Sequence, residues 1–330
     1  VVIMRELRYN PLTGQWIMVS AVRKHRPWRP RDFCPFCPGS EETGYGWEVL
    51  ILPNRFPMLD FKAKNPESRG FYKKARAIGQ CSIIVETPEH DLKDLDELSL
   101  EQMVKVVGLW KNVTMELKNN PHVAYLAIFR NKGEEIGVSL THPHGQLYAL
   151  PFIPLKARLK IENSRRHYKR FGECLFCCIM EEEIQGNERV IYENDNFVLF
   201  MPFFANWPFE IHIYPKRHIQ WLTQLNKNEI EDLADSLRVA TATLNALFER
   251  QMPYVMNIFQ APFKGSCEFY HLHIEFYPML RDRDKLKYAA GIELGTWEFT
   301  YDGVPEENAQ KLKEACRKIT KRIGAKGKCF

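Results

Sequence analysis

The chain runs through one series of landmarks twice, and this repetition limits its fold more than any single residue does. Cys34-Pro35-Phe36-Cys37 returns as Cys174-Leu175-Phe176-Cys177. A β-rich run follows each pair, at 82–85 and 209–214, and each run leads to a histidine, His90 or His218. A long helical pattern comes next. The first opens on Ser99-Leu100-Glu101-Gln102, a capping-box sequence, and carries apolar residues at helical spacing over 103–117; the second spans 229–247. Apolar strands at 124–129 and 254–259 precede His-x-His motifs, His142/His144 and His271/His273. His142 follows His90 by 52 residues and His271 follows His218 by 53, so order and spacing agree. The expectation is a duplicated α+β unit of antiparallel strands with one main helix per half. The repeats are placed at 1–160 and 161–330, with the seam in a basic, helically spaced stretch at 155–172. Strand–turn–strand patterns at 49–56 and 190–197 are read as equivalent.

Two cysteines three residues apart plus two distant histidines make a Cys₂His₂ set, which suits tetrahedral zinc. The first set is Cys34, Cys37, His90 and His142; the second is Cys174, Cys177, His218 and His271. Four protein ligands leave no position for water, so the zinc is read as structural. The first ion would pin the strand bearing His144 to the distant Cys34–Cys37 turn. The alternative for either pair is a buried apolar contact or a redox couple.

Ser139-Leu140-Thr141-His142-Pro143-His144-Gly145-Gln146 sets two imidazoles and a carboxamide at alternate positions of an extended segment. A histidine can carry a transferable group near neutral pH. Its neighbours can serve as a metal anchor on one side and a phosphate hydrogen-bond donor on the other. The net charge of +5 suits phosphorylated small molecules and is too weak to argue for nucleic acid. No apolar run is long enough for a membrane span, and the start lacks a signal-peptide layout, so a cytoplasmic location is expected. Nine cysteines in that setting suggest metal ligation before disulfides. Cys81, Cys178, Cys267, Cys316 and Cys329 are read as packing residues.

The His142-Pro143-His144-Gly145-Gln146 run, with Asn131-Lys132-Gly133 and Ser139 upstream, resembles the galactose-1-phosphate uridylyltransferase family. That family is a branch of the histidine-triad superfamily built from two fused repeats, and the likeness covers nearly the whole chain. Arg23-Lys24-His25-Arg26-Pro27-Trp28 is similar to the family's basic segment. Cys34, Cys37 and Gly39 resemble its zinc pair, and Pro53-Asn54-Arg55-Phe56 falls where the family binds uridine. Lys287 and Gly291-Ile292-Glu293 fall where it has sugar-binding residues. The resemblance implies a ping-pong exchange in which His144 takes uridylyl from UDP-glucose, releases glucose 1-phosphate, and hands uridylyl to galactose 1-phosphate. It implies that a backbone carbonyl fixes the His144 tautomer. Gln146 and Ser139 would bind the phosphate oxygens, Asn131 would shape the pocket, and Arg23 and Arg26 would face the diphosphate. It also implies a homodimer in which the partner subunit supplies sugar contacts.

The second repeat departs from the pattern: His271-Leu272-His273-Ile274-Glu275 has Glu where the first has Gln146. A carboxylate beside a phosphate repels it, so this half is expected to be structural. Some members of the family place an iron-type site here, but this chain has Gln260 and Glu275 where two of its histidines would fall. A second zinc is expected in its stead, with a metal on Glu162, His273 and Glu275 as the alternative. The rival functions are an ADP-sugar or dinucleoside-polyphosphate phosphorylase, a zinc-stabilised nucleic-acid-binding module, and a hydrolase using the same histidine.

Overall fold

The computed structural model describes residues 4–25, 33–67 and 70–330. The chain opens with the hairpin β1 (Arg5–Asn10) and β2 (Gln15–Ser20), turning at Gly14, whose φ of 67° suits a residue without Cβ. After β3 (Leu50–Pro53), β4 (Lys74–Arg76) returns to pair with β1 and completes a three-stranded sheet. β5 (Gln80–Val85), helix α1 (Leu100–Lys118), β6 (Tyr125–Lys132) and β7 (His144–Leu150) finish the first half. The seam is helix α2 (Leu155–Phe171), followed by α3 (Leu175–Gly186). The second half continues with β8 (Val190–Glu193), β9 (Phe197–Phe200), β10 (Ile211–Pro215), α4 (Lys227–Leu247), β11 (Tyr254–Phe259) and β12 (His273–Pro278). A small hairpin of β13 (Leu280–Asp282) and β14 (Lys285–Leu286), helices α5 (Gly291–Thr296) and α6 (Pro305–Ile323), and β15 (Lys328–Cys329) end the chain.

The repeat is visible in the strand order. One ten-stranded sheet runs β15-β8-β9-β10-β12-β11-β6-β7-β5-β3, every pair antiparallel. Read inward from either side, β3-β5-β7-β6 matches β9-β10-β12-β11, and the halves join where Tyr254 pairs with Lys132 and Ile258 with Ile128. The strand–turn–strand equivalence holds only in part. The second half makes a true hairpin, β8 with β9, while the first makes β3 alone, whose counterpart by position is β9. An Asx turn ends β3: the Asn54 carboxamide oxygen accepts from the Phe56 N–H at 2.9 Å.

Alternation along β7 separates core from cleft. Leu147 and Ala149 join Val106, Val107 and Trp110 of α1 in the main core, while His144, Gln146 and Tyr148 face the other way. Each large apolar side chain buried there contributes about 1.5–3 kcal/mol. β12 repeats the arrangement, with Ile274 and Phe276 in the core beneath α4. The expected capping box on α1 is half made. Ser99 Oγ accepts from the Gln102 N–H, but the Gln102 side chain donates to the carbonyls of Glu48 and Glu86 and so ties the helix start to β5. α4 has the full box, Asn226 with Glu229. Cys316 and Cys329, expected as packing residues, form a disulfide, because β15 brings the chain end back along α6.

Candidate active site and metal clusters

His144 opens β7 on the cleft side, between two cavities. One, of about 390 Å³, is lined by Arg23, Asn54, Phe56, Gln146 and Tyr148. The other, of about 770 Å³, is lined by His90, Lys132, His142 and Arg250. Asn131, Ser139 and His144 border both. The His144 ring is held by Nδ1, which lies 2.7 Å from the carbonyl of His142. A carbonyl only accepts, so Nδ1 carries the proton and Nε2 keeps a lone pair. Phe36, from the first Cys-x-x-Cys turn, packs on the ring at 5.1 Å between centroids. Gly145 lies close against the neighbouring strand, where a Cβ would stand 3.3 Å from the Phe129 carbonyl.

Beneath that strand lies a buried charge network. Arg130 bridges Glu86 and Asp94, and Lys132 Nζ reaches Asp94 at 2.6 Å. Tyr254 Oη, from the other half, donates to Asp94 at 2.6 Å. These groups are almost fully enclosed, so each depends on its partners; removing one would strand a buried charge at a cost of about 3–5 kcal/mol. Through Arg130 and Lys132 the network fixes the strand that carries Asn131.

Both Cys₂His₂ sets come together. In the first, Cys37 Sγ lies 3.2 Å from His90 Nδ1, and Cys34 and Cys37 lie 3.6 and 3.7 Å from His142 Nδ1. In the second, Cys177 Sγ lies 3.3 Å from Nδ1 of both His218 and His271, with Cys174 in the same group. Sulfur–nitrogen edges of a tetrahedral zinc site are about 3.5 Å, given its bond lengths, so both donor sets fit that ion in size and chemistry. Each cluster also has its outer hydrogen bond: His142 Nε2 donates to the Thr87 carbonyl at 2.8 Å, and His271 Nε2 to the Pro215 carbonyl at 2.9 Å. Burial, with Cys34 alongside, pushes the Cys37 thiol up to about 11, a penalty that a bound dication reverses.

Of the other residues singled out in the sequence, Arg23 donates to Tyr148 Oη at 3.2 Å and lines the smaller cleft with Asn54. Arg26 lies outside the described residues. Lys287 and Glu293 meet each other, not His144: Lys287 Nζ is 3.4 Å from the Glu293 carboxylate, and Thr300 bonds to both. Neither lines a cleft beside His144 in its own chain. Hydrogen bonds from Thr300 and the Ala290 N–H hold the Glu293 carboxyl down at about 2. Tyr148 and Phe36 were missed as site residues, though Tyr148 continues the alternation His144, Gln146, and Phe36 recurs as Phe176.

The metal alternative on Glu162, His273 and Glu275 does not form. Glu162 is exposed on α2, and the Lys160 ammonium contacts both His273 and Glu275. Gln260 turns to the Leu222 N–H and Thr114. These residues therefore do not fit an iron-type site. One acid–imidazole group that could hold a metal, Glu210, His212 and Glu275, shares Glu275 with them.

Residues 1–154 match the family described as galactose-1-phosphate uridyl transferase, N-terminal domain, and residues 160–323 match its C-terminal domain. The galactose-1-phosphate uridylyltransferase of Thermotoga maritima is 42% identical over 316 residues, covering 94% of this chain and 98% of that protein. A solved uridylyltransferase structure superposes with a TM-score of 0.89 at 44% identity, covering 95% of this chain and 99% of the other. An ADP-glucose phosphorylase from Arabidopsis thaliana, solved with bound ADP-glucose, shares the fold at a TM-score of 0.74 and 24% identity, covering 94% of this chain and 99% of that one. Among the described residues, no helix is long and apolar enough to cross a membrane.

Proposed function

The chain belongs to the galactose-1-phosphate uridylyltransferase family and is a nucleotidyltransferase, and from that premise we propose that it exchanges uridylyl between UDP-glucose and galactose 1-phosphate through a covalent uridylyl-histidine on His144. The observation that carries this reading is the hydrogen bond from His144 Nδ1 to the His142 carbonyl, which leaves Nε2 unprotonated between two cavities. Nε2 attacks the α-phosphorus as the bond to the glucose 1-phosphate oxygen breaks. The imidazole then carries a positive charge, which the His142 carbonyl stabilises through Nδ1–H. Galactose 1-phosphate takes the uridylyl group in the second half-reaction, and the ring returns neutral. One residue thus serves as nucleophile and leaving group.

Gln146 and Ser139 donate to the non-bridging phosphate oxygens, and Asn131 borders the same position. The smaller cleft, with Asn54 and Tyr148, takes the uridine. Arg23 and Arg26 face the diphosphate, where a planar fork binds well. Lys287 and Glu293 bind the sugar across a homodimer interface, each serving the partner's site, in keeping with their lining neither of the two cavities beside His144 in their own chain. The first repeat, 1–160, carries the chemistry; the second, 161–330, is structural. Cys34, Cys37, His90 and His142, and Cys174, Cys177, His218 and His271, would each hold a zinc ion, which would supply rigidity by tying distant segments together. The enzyme acts in the cytoplasm on small sugar phosphates.

Intact-mass measurement after incubation with UDP-glucose and no acceptor tests the reading. A uridylyl adduct is expected on the wild type, absent from His144→Ala, and discharged by galactose 1-phosphate. An adduct from ADP-glucose alone would move the chain to the phosphorylase reaction, and no adduct from either donor would overturn covalent catalysis.

A further inference from the structure

The second repeat holds a buried counterpart of the His144 site, filled from within the chain. His273 takes the place of His144, Glu275 of Gln146 and Tyr277 of Tyr148, as the strand order and the spacing along β7 and β12 require. The ring is held in the same way, with His273 Nδ1 2.9 Å from the His271 carbonyl. Its Nε2 therefore keeps a lone pair, as in His144. The surroundings differ. His273 is fully buried, stacked on Phe259 at an interplanar angle of 7° and packed against Phe176. The lone pair is taken: Lys160 Nζ, reaching over from α2, lies 2.8 Å from His273 Nε2.

The Lys160 ammonium has a complete set of partners. One N–H goes to His273 Nε2 and one to the Glu275 carboxylate. Nζ also sits 3.6 Å from the centre of the Phe259 ring, a cation–π contact. Glu275 is held in turn by Lys156 Nζ at 3.0 Å and by Tyr277 Oη. His212 Nε2 stands 3.6 Å from the same carboxylate and 2.8 Å from Glu210. The His273 imidazole and the Glu275 carboxylate are donors that a transition metal takes, yet both are engaged by a primary amine borne on the chain itself.

We infer that the second repeat contains a built cation site whose resident cation is the Lys160 ammonium, which excludes divalent metal from His273, Glu275 and the adjoining Glu210–His212 pair. The lysine also caps His273 Nε2, the ring nitrogen that corresponds to Nε2 of His144. The charge of Glu275 is therefore matched within the fold, and the second site is shut by occupancy as well as by the exchange of Gln for Glu.

Native mass spectrometry on the full-length, zinc-loaded chain, before and after incubation with nickel(II), counts the ions held. The wild type is expected to gain none. Lys160→Ala is expected to gain one ion per chain, and Lys160→Ala/His273→Ala to lose it again. Lys160→Met, which keeps the bulk of the side chain, tests the same point should the alanine variant fold poorly. Uptake by the wild type that His273→Ala abolishes would overturn the inference, and this arm needs no lysine variant to fold. A folded Lys160→Ala or Lys160→Met protein that gains no ion would overturn it as well.

Discussion

The carbonyl of His142 accepts the Nδ1–H of His144 at 2.7 Å, while the His142 ring, two atoms' reach away on the same residue, turns Nδ1 toward Cys34 and Cys37. One residue thus joins the His144 imidazole to the first Cys₂His₂ cluster. The backbone of His142 sets the tautomer of His144, and its side chain, anchored to Thr87, sets where that backbone lies. Cys37→Ser is therefore expected to reduce metal content by one ion per chain. It should also lower kcat by about 10²-fold, the cost of displacing a reacting group by roughly 1 Å. Metal analysis alongside kcat checks the link: full activity in a protein that has lost this ion would disprove it.

Gln146→Glu installs the second repeat's residue in the first. The new carboxylate would face the phosphate. A loss of about 10²–10³-fold in kcat is expected, in the range for removing one oxyanion donor, with added repulsion. Gln146→Ala separates the two effects by losing the donor without adding charge, and should be the milder change. The ratio of their single-turnover rates of adduct formation measures the repulsion.

The clusters were legible in the sequence because metal ligation admits few residue types and the duplication repeats them in register: Cys34, Cys37, His90 and His142 foretold Cys174, Cys177, His218 and His271. The alternation from His144 to Gln146 marked the cleft face for the same reason. What the sequence did not disclose depends on tertiary reach. Lys160 meets His273 across 113 residues, and no local pattern marks a lysine on a basic helix as the one that turns inward. That β3 corresponds to β9, and not to β8, was hidden because an apolar run does not state which neighbour it will join. Cys316 and Cys329 lacked a recognisable spacing, and only the return of β15 along α6 brings them together.

Asp96 gives a pH dependence with a definite sign. Burial, with the charge of Asp94 beside it, raises this carboxyl to about 6, although Lys132 pulls the other way. Between an unfolded value near 3.9 and the folded value of about 6, the folded chain keeps a proton that the unfolded chain has released. The favourable contribution is thus complete at acid pH and lost as pH rises through about 6. At pH 7 the ionised carboxylate is a liability. Asp96→Asn retains an acceptor for Asn245 and is expected to stabilise the protein by about 1–3 kcal/mol at neutral pH, with the gain vanishing below about pH 4. Denaturant melts of both proteins across that range decide it; a gain independent of pH would assign the effect to packing.

The Cys316–Cys329 disulfide predicts stability without a change in catalysis. It closes a short loop, with a sequence separation of 13, for which chain entropy gives about 3 kcal/mol. It ties β15 to α6 at one end of the main sheet, and six strands separate β15 from β7. At about 4.8 Å per strand, that sets the bond more than 30 Å from His144. Reductant is therefore expected to lower the melting temperature by a few degrees and leave kcat unchanged. Cys329→Ser should match the reduced wild type and no longer respond to reductant. In a reducing cytoplasm the bond would stand open, and the reduced chain, held by α6 packing on α4 and by the β15–β8 pairing, is then the form whose stability counts. A fall in kcat on reduction, with the metal content unchanged, would mean that this distant edge is coupled to the His144 site.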